Sequence, residues 1–116
     1  MTKTILVADD EEFIVDLLAT LLEDEGYAVL RAYDGEQALV AVRQEQPHLI
    51  ITDIMMPRMS GVELVMRVRA EGANGAATPV ILMSAVNPPA AVPNTIYLAK
   101  PFDIDHVLEL VTRLIP

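Results

Sequence analysis

Short aliphatic and β-branched runs alternate along the chain with longer stretches whose apolar positions recur every three to four residues. That alternation predicts repeated βα units around a parallel sheet. The runs are TILVA (4–8), AVLRA (28–32), LIIT (49–52), PVILM (79–83) and TIYLA (95–99). Those at 4–8, 49–52 and 79–83 are apolar almost throughout, as central strands covered on both faces must be. Between the first two runs, Ile14, Leu17, Leu18, Leu21 and Leu22 form the stripe of an amphipathic helix that Gly26 stops. Ala38, Leu39 and Val42 predict a shorter helix from near Gly35 to before Pro47, and Val62, Val65 and Val68 one from Ser60-Gly61 to near Gly72. Ile104, Val107, Leu108, Val111 and Leu114 predict the last, with Asp103 as its N-cap. The segment GANGAAT (72–78) reads as a loop.

The alternation fails once. A helix belongs between the runs at 79–83 and 95–99, but Pro88, Pro89 and Pro93 remove backbone donors and clash with preceding carbonyls. The expected connection is extended or a single turn, crossing right-handed to a parallel neighbour.

Composition narrows the function classes. The 116 residues carry 8 Lys+Arg against 17 Asp+Glu, a net charge of −9, and suit one acidic domain over 1–116. Basic residues are scattered singly, so no patch exists to neutralise nucleic-acid phosphates, and direct nucleic-acid binding is disfavoured. The absence of cysteine excludes disulfides, thiol nucleophiles and thiolate metal sites. No run approaches the roughly 20 apolar residues of a membrane span, and the N-terminal apolar run is too short for a signal peptide, so the expected location is the cytoplasm. The acids are concentrated: Asp9, Asp10, Glu11, Glu12, Asp16, Glu23, Asp24 and Glu25 face only Lys3 among residues 1–25. Residues 85–99 carry no charge at all.

Open α/β sheets bind ligands at the carboxyl ends of their strands, near the point where strand order reverses. The residues just past the predicted strands are Asp9-Asp10, Asp53, Ser84 and Lys100. Singly, each has an ordinary explanation. Asp9 or Asp10 could cap the first helix with Glu12 completing a capping-box-like pair, Asp53 could start a turn, Ser84 could be a strand-end hydroxyl, and Lys100 could be a solvated loop lysine. Together, at the ends of four strands, they predict a site. Clustered carboxylates repel one another and call for a proton or a cation, and oxygen-only ligands suit Mg²⁺. The loop ADDEE lacks the glycines of a dinucleotide or P-loop site. His48 and His106 stand alone and are expected to be solvated.

These residues carry a family resemblance over the whole chain. The acidic pair Asp9-Asp10, the block DIMMPRMSG (53–61), Ser84 and Lys100-Pro101-Phe102, in this order, resemble a CheY-like response-regulator receiver domain of two-component signalling. The resemblance implies a flavodoxin-like, doubly wound, five-stranded parallel sheet of order 2-1-3-4-5, here with the helix between the fourth and fifth strands shortened or absent. It implies that Asp53 takes a phosphoryl group from a phosphohistidine of a sensor histidine kinase or phosphotransfer protein. Asp10, Asp53 and the Met55 backbone carbonyl would hold Mg²⁺, with Asp9 contributing through water. Lys100 would pair with the phosphoryl oxygens, Ser84 would move to bond one of them, and Tyr97 would be the switch aromatic. The Lys100-Pro101 peptide is expected to be cis. Such a domain is a phosphoacceptor rather than an enzyme, catalysing only its own phosphoryl transfer and dephosphorylation. Two alternatives fit the residues less well. A Mg²⁺-dependent phosphatase of the haloacid-dehalogenase type would need D-x-D-x-T, and the second acid is missing after Asp53. A pseudo-receiver would keep the fold as an unphosphorylated binding module, and the intact Asp10, Asp53, Ser84 and Lys100 speak against it.

Overall fold

A computed structural model describes residues 2–71, 77–85 and 94–116. The strands are β1 (Thr4–Ala8), β2 (Ala28–Ala32), β3 (Leu49–Asp53), β4 (Val80–Ser84) and β5 (Thr95–Ala99). The helices are α1 (Glu12–Asp24), α2 (Gly35–Glu45), α3 (Gly61–Ala70) and α4 (Ile104–Leu114). All strand pairs are parallel, in the order β2-β1-β3-β4-β5. The strand and helix periods predict its repeated βα units, and the doubly wound order is the one that the resemblance implies. The expected short crossover between β4 and β5 falls on residues 86–93, outside the described residues, as does most of the predicted loop at 72–78.

Successive strand residues face opposite ways, so each strand supplies two cores. Ile5, Val7, Leu49, Ile51, Ile81 and Met83 pack against α1 and α4, while Leu6, Ile50, Val80 and Leu82 pack against α2 and α3. The middle strands β1, β3 and β4 are covered on both faces, which is why their sequences lack polar alternation.

The helix ends are set by local chemistry. Gly26, at φ 98°, ends α1: its N–H donates to Glu23 O and that of Tyr27 to Leu22 O, satisfying carbonyls that the helix leaves open. Asp34, Ser60 and Asp103 cap α2, α3 and α4 by accepting from Gln37, Glu63 and Asp105 backbone N–H groups. Helix α1 differs, because its N-cap is Glu11 and no side chain caps it. Asp9 and Asp10 are thus not its N-cap, contrary to the ordinary explanation of that pair. No helix among the described residues is long and apolar enough to cross a membrane.

Candidate functional site

Strand register assembles the site. Ala8 pairs with Thr52, so the next residues, Asp9 and Asp53, leave neighbouring strands at one level, on the two sides of the point where strand order reverses. Asp53 pairs with Met83 and Ser84 with Ala99, which brings Ser84 and Lys100 one step beyond. Asp53 and Ser84 are the last residues of β3 and β4 rather than the first residues past them. Both polar residues continue the ladder of the apolar ones before them. Backbone bonds fix the rim: Ile54 N–H donates to Met83 O at 3.0 Å and Lys100 N–H to Ser84 O at 2.8 Å. The Lys100-Pro101 peptide is cis.

Lys100 Nζ stands 2.8 Å from Asp9 Oδ2, 3.3 Å from Asp53 Oδ1 and 3.8 Å from Glu11 Oε1. Asp9 has no exposure and Asp53 is 7% exposed, whereas Asp10 lies at the surface. One oxygen each from Asp9, Asp10 and Asp53 can be chosen so that all lie within 4.8 Å of one another, a hard-oxygen set that fits a divalent cation such as Mg²⁺. Ser84 is buried, and Tyr97 is half-buried against the core beneath α2 and α3. The Met55 side chain is exposed. His48 lies at the opposite end of the sheet, its Nδ1 accepting from Thr4 N–H, and His106 is exposed on α4.

Three participants escaped the sequence reading. Glu11 supplies a further carboxylate to Lys100. Thr52 Oγ1 donates to the Asp53 carbonyl at 3.0 Å. Gly61 lies so close to that carbonyl that a Cβ would overlap it. Glu11 is the N-cap of α1 only in the structure; in the sequence it is one acid among the four of ADDEE.

Burial pushes the Asp53 carboxyl above its ordinary value, and the Asp9 charge adds to this, while Lys100 and the Ile54 N–H pull it part of the way back. For Lys100, burial works against the charged form, but its hydrogen bond and charge interaction with Asp9, helped by Asp53, hold it above the ordinary lysine value. The folded state keeps the Asp53 proton to higher pH than the unfolded state, so this group's contribution to stability falls as pH rises from 3.8 through the raised value. Above that window its charge is a net cost. Asp53→Asn should therefore be more stable than wild type in Mg²⁺-free buffer at pH 7, with the gap closing as pH falls toward 3.8. Urea unfolding across that range checks it, and a variant less stable than wild type at pH 7 would contradict it.

Beside Lys100 lies an apolar groove of about 440 Å³ lined by Ile14, Leu17, Ala85, Pro101, Phe102 and Ile104. It places a hydrophobic surface next to the charged cluster.

Comparison with known proteins matches the same elements. The response regulator receiver domain family matches residues 5–112. Response regulator GtcR of Aneurinibacillus migulanus is 48% identical over 87 residues, covering 75% of this chain and 34% of that protein. Sporulation initiation phosphotransferase F of Bacillus subtilis is 33% identical over 122 residues, covering 100% of this chain and 96% of that protein. The structure of chemotaxis response regulator CheY4 of Vibrio cholerae superposes with a TM-score of 0.90 at 30% identity, covering 99% of this chain and 100% of that one. The chain thus spans about a third of the first relative and nearly all of the second.

Proposed function

This chain belongs to the response regulator receiver domain family, and we propose that it acts as a cytoplasmic phosphorylation switch whose phosphoacceptor is Asp53. The observation that carries the reading is the shared ammonium: one Lys100 Nζ within 3.3 Å of both Asp9 and Asp53, at the reversal point of the sheet. The donor is a phosphohistidine of a sensor histidine kinase or phosphotransfer protein. An Asp53 oxygen forms a bond to phosphorus, the P–N bond breaks, and its electron pair stays with the imidazole. Phosphoryl transfer asks mainly for alignment and charge neutralisation, and Lys100 provides both by binding phosphoryl oxygens as they arrive. Ser84, at the end of the neighbouring strand, hydrogen-bonds a phosphoryl oxygen, and Tyr97 reports that movement through the core it packs on. Asp10, Asp53 and the Met55 carbonyl, with Asp9 through water, would hold Mg²⁺, which supplies further neutralisation of phosphoryl charge. The apolar groove beside Lys100 supports a protein donor, since it offers contact area next to the acceptor that a small phosphodonor would not use.

Intact mass spectrometry after incubation with acetyl phosphate tests the reading. Wild type should gain one phosphoryl group only when Mg²⁺ is present, and Asp53→Asn should gain none. No gain in wild type would favour the pseudo-receiver, a binding module that is never phosphorylated.

A further inference from the structure

Glu11 breaks a local rule. At an N-cap, a side-chain oxygen ordinarily accepts a hydrogen bond from a free N–H of the first turn, yet the Glu11 carboxylate makes no such bond. Its own N–H donates to Asp9 Oδ1 at 3.0 Å, and its side chain reaches to 3.8 Å from Lys100 Nζ. Lys100 therefore serves three carboxylates, two of them buried and the third 66% exposed at the mouth of the site. An N-cap side chain turned away from its own helix toward the strand-end lysine points to function.

The distances bound the electrostatics. Oxygens of Glu11 and Asp53 lie 3.8 and 3.3 Å from one nitrogen, so they are within about 7 Å of each other. A phosphoryl group bonded to Asp53 and held by Lys100 competes with Glu11 for that ammonium. Any extra negative charge on the donor meets the Glu11 carboxylate at the rim.

We propose that Glu11 is a donor-selecting residue: its carboxylate disfavours phosphodonors with an anionic leaving group relative to donors whose leaving group departs neutral. The inference rests on Asp53 being the phosphoacceptor. With acetyl phosphate, the new bond joins Asp53 oxygen to phosphorus, the bond from phosphorus to the acyl oxygen breaks, and acetate leaves with the electron pair and a negative charge. With phosphoramidate the P–N bond breaks instead, and the nitrogen, already protonated, leaves as neutral ammonia. Phosphohistidine belongs to this second class when its ring is protonated. Glu11 thus biases the site toward protein donors and away from acyl phosphates.

The test compares Asp53 phosphorylation rates with acetyl phosphate and phosphoramidate, at saturating Mg²⁺, for wild type, Glu11→Gln and Glu11→Lys. A purely structural role would move both donors together, so the informative readout is their ratio. At this distance and exposure, Glu11→Gln should raise the acetyl phosphate rate about threefold to tenfold and change the phosphoramidate rate less than about twofold. Glu11→Lys should raise the ratio further, and high salt should shrink the difference, because an exposed charge is screened. If wild type is phosphorylated but both variants keep its ratio, or both donors speed up equally, donor selection by Glu11 is overturned while the phosphoacceptor reading stands. If neither donor phosphorylates wild type at Asp53, both fall.

Discussion

Gly61→Ala should lower the unfolding free energy by about 1–3 kcal/mol and slow phosphorylation of Asp53 by about a hundredfold. Gly61 opens α3, and its N–H donates to Ile54 O at 2.8 Å, which clamps the helix start against the end of β3. A Cβ there would overlap the Asp53 carbonyl oxygen and stand 3.0 Å from its carbonyl carbon and 3.1 Å from Ile54 Cα. All three obstacles are backbone, so no side chain can rotate aside. Either α3 withdraws or Asp53 shifts. Alanine's better helix propensity returns at most about 1 kcal/mol. Gly26→Ala is the control: its φ of 98° imposes strain, but nothing lies within 4 Å of the added carbon. It should cost about 1–2 kcal/mol and leave phosphorylation unchanged. Urea unfolding and phosphorylation rates of the two variants separate the cases. Wild-type stability and rate in Gly61→Ala would mean that the helix start does not position Asp53.

Gly61 also marks where sequence reading stops. The apolar runs placed β1, β2 and β5 to the residue, and for β1 and β5 the ends coincide with changes of polarity. They ended β3 and β4 one residue early, since Asp53 and Ser84 look like loop residues although both continue the ladder and are buried. Their burial follows from the neighbouring strands, which sequence periodicity does not register. The cluster of Asp9, Asp53 and Lys100 was legible because polar residues at the ends of apolar strands can point only to the strand-end crevice. Glu11 was hidden by its company: one exposed acid in ADDEE carries no signal that it, and not Glu12, turns toward Lys100. Close backbone approach leaves still less trace. Ser60-Gly61 announces a helix start, but that its glycine touches the carbonyl of Asp53, eight positions earlier, depends on the path of the loop between them.

Replacing Lys100 by methionine is expected to remove about 3–5 kcal/mol of stability in Mg²⁺-free buffer at pH 7. Methionine keeps most of the aliphatic stem, so the lost quantity is charge rather than packing. The Lys100 ammonium is the cation that pairs with both Asp9, which has no exposure, and Asp53, which has 7%. Without it, two carboxylates on neighbouring strands stay buried with backbone N–H groups, those of Glu11 and Ile54, and no ammonium to offset their repulsion. The pH dependence follows from the raised lysine value. A cation held above its unfolded value contributes stability that is fully present below 10.5 and is lost as pH rises through the folded value, so the gap between wild type and variant should persist at pH 7 and narrow in alkali. Mg²⁺ provides the complementary measurement. A ligand that binds only the folded state adds about 2.7 kcal/mol at a hundred times its Kd. In Lys100→Met a cation among Asp9, Asp10 and Asp53 would also replace the missing charge, so its stabilisation should exceed that of wild type. Phosphorylation should not recover with it, because the group that receives the phosphoryl oxygens is gone. Equal unfolding midpoints without Mg²⁺ would mean that the carboxylates are relieved by water rather than by Lys100, and recovery of phosphorylation in Mg²⁺ would remove Lys100 from the transfer step.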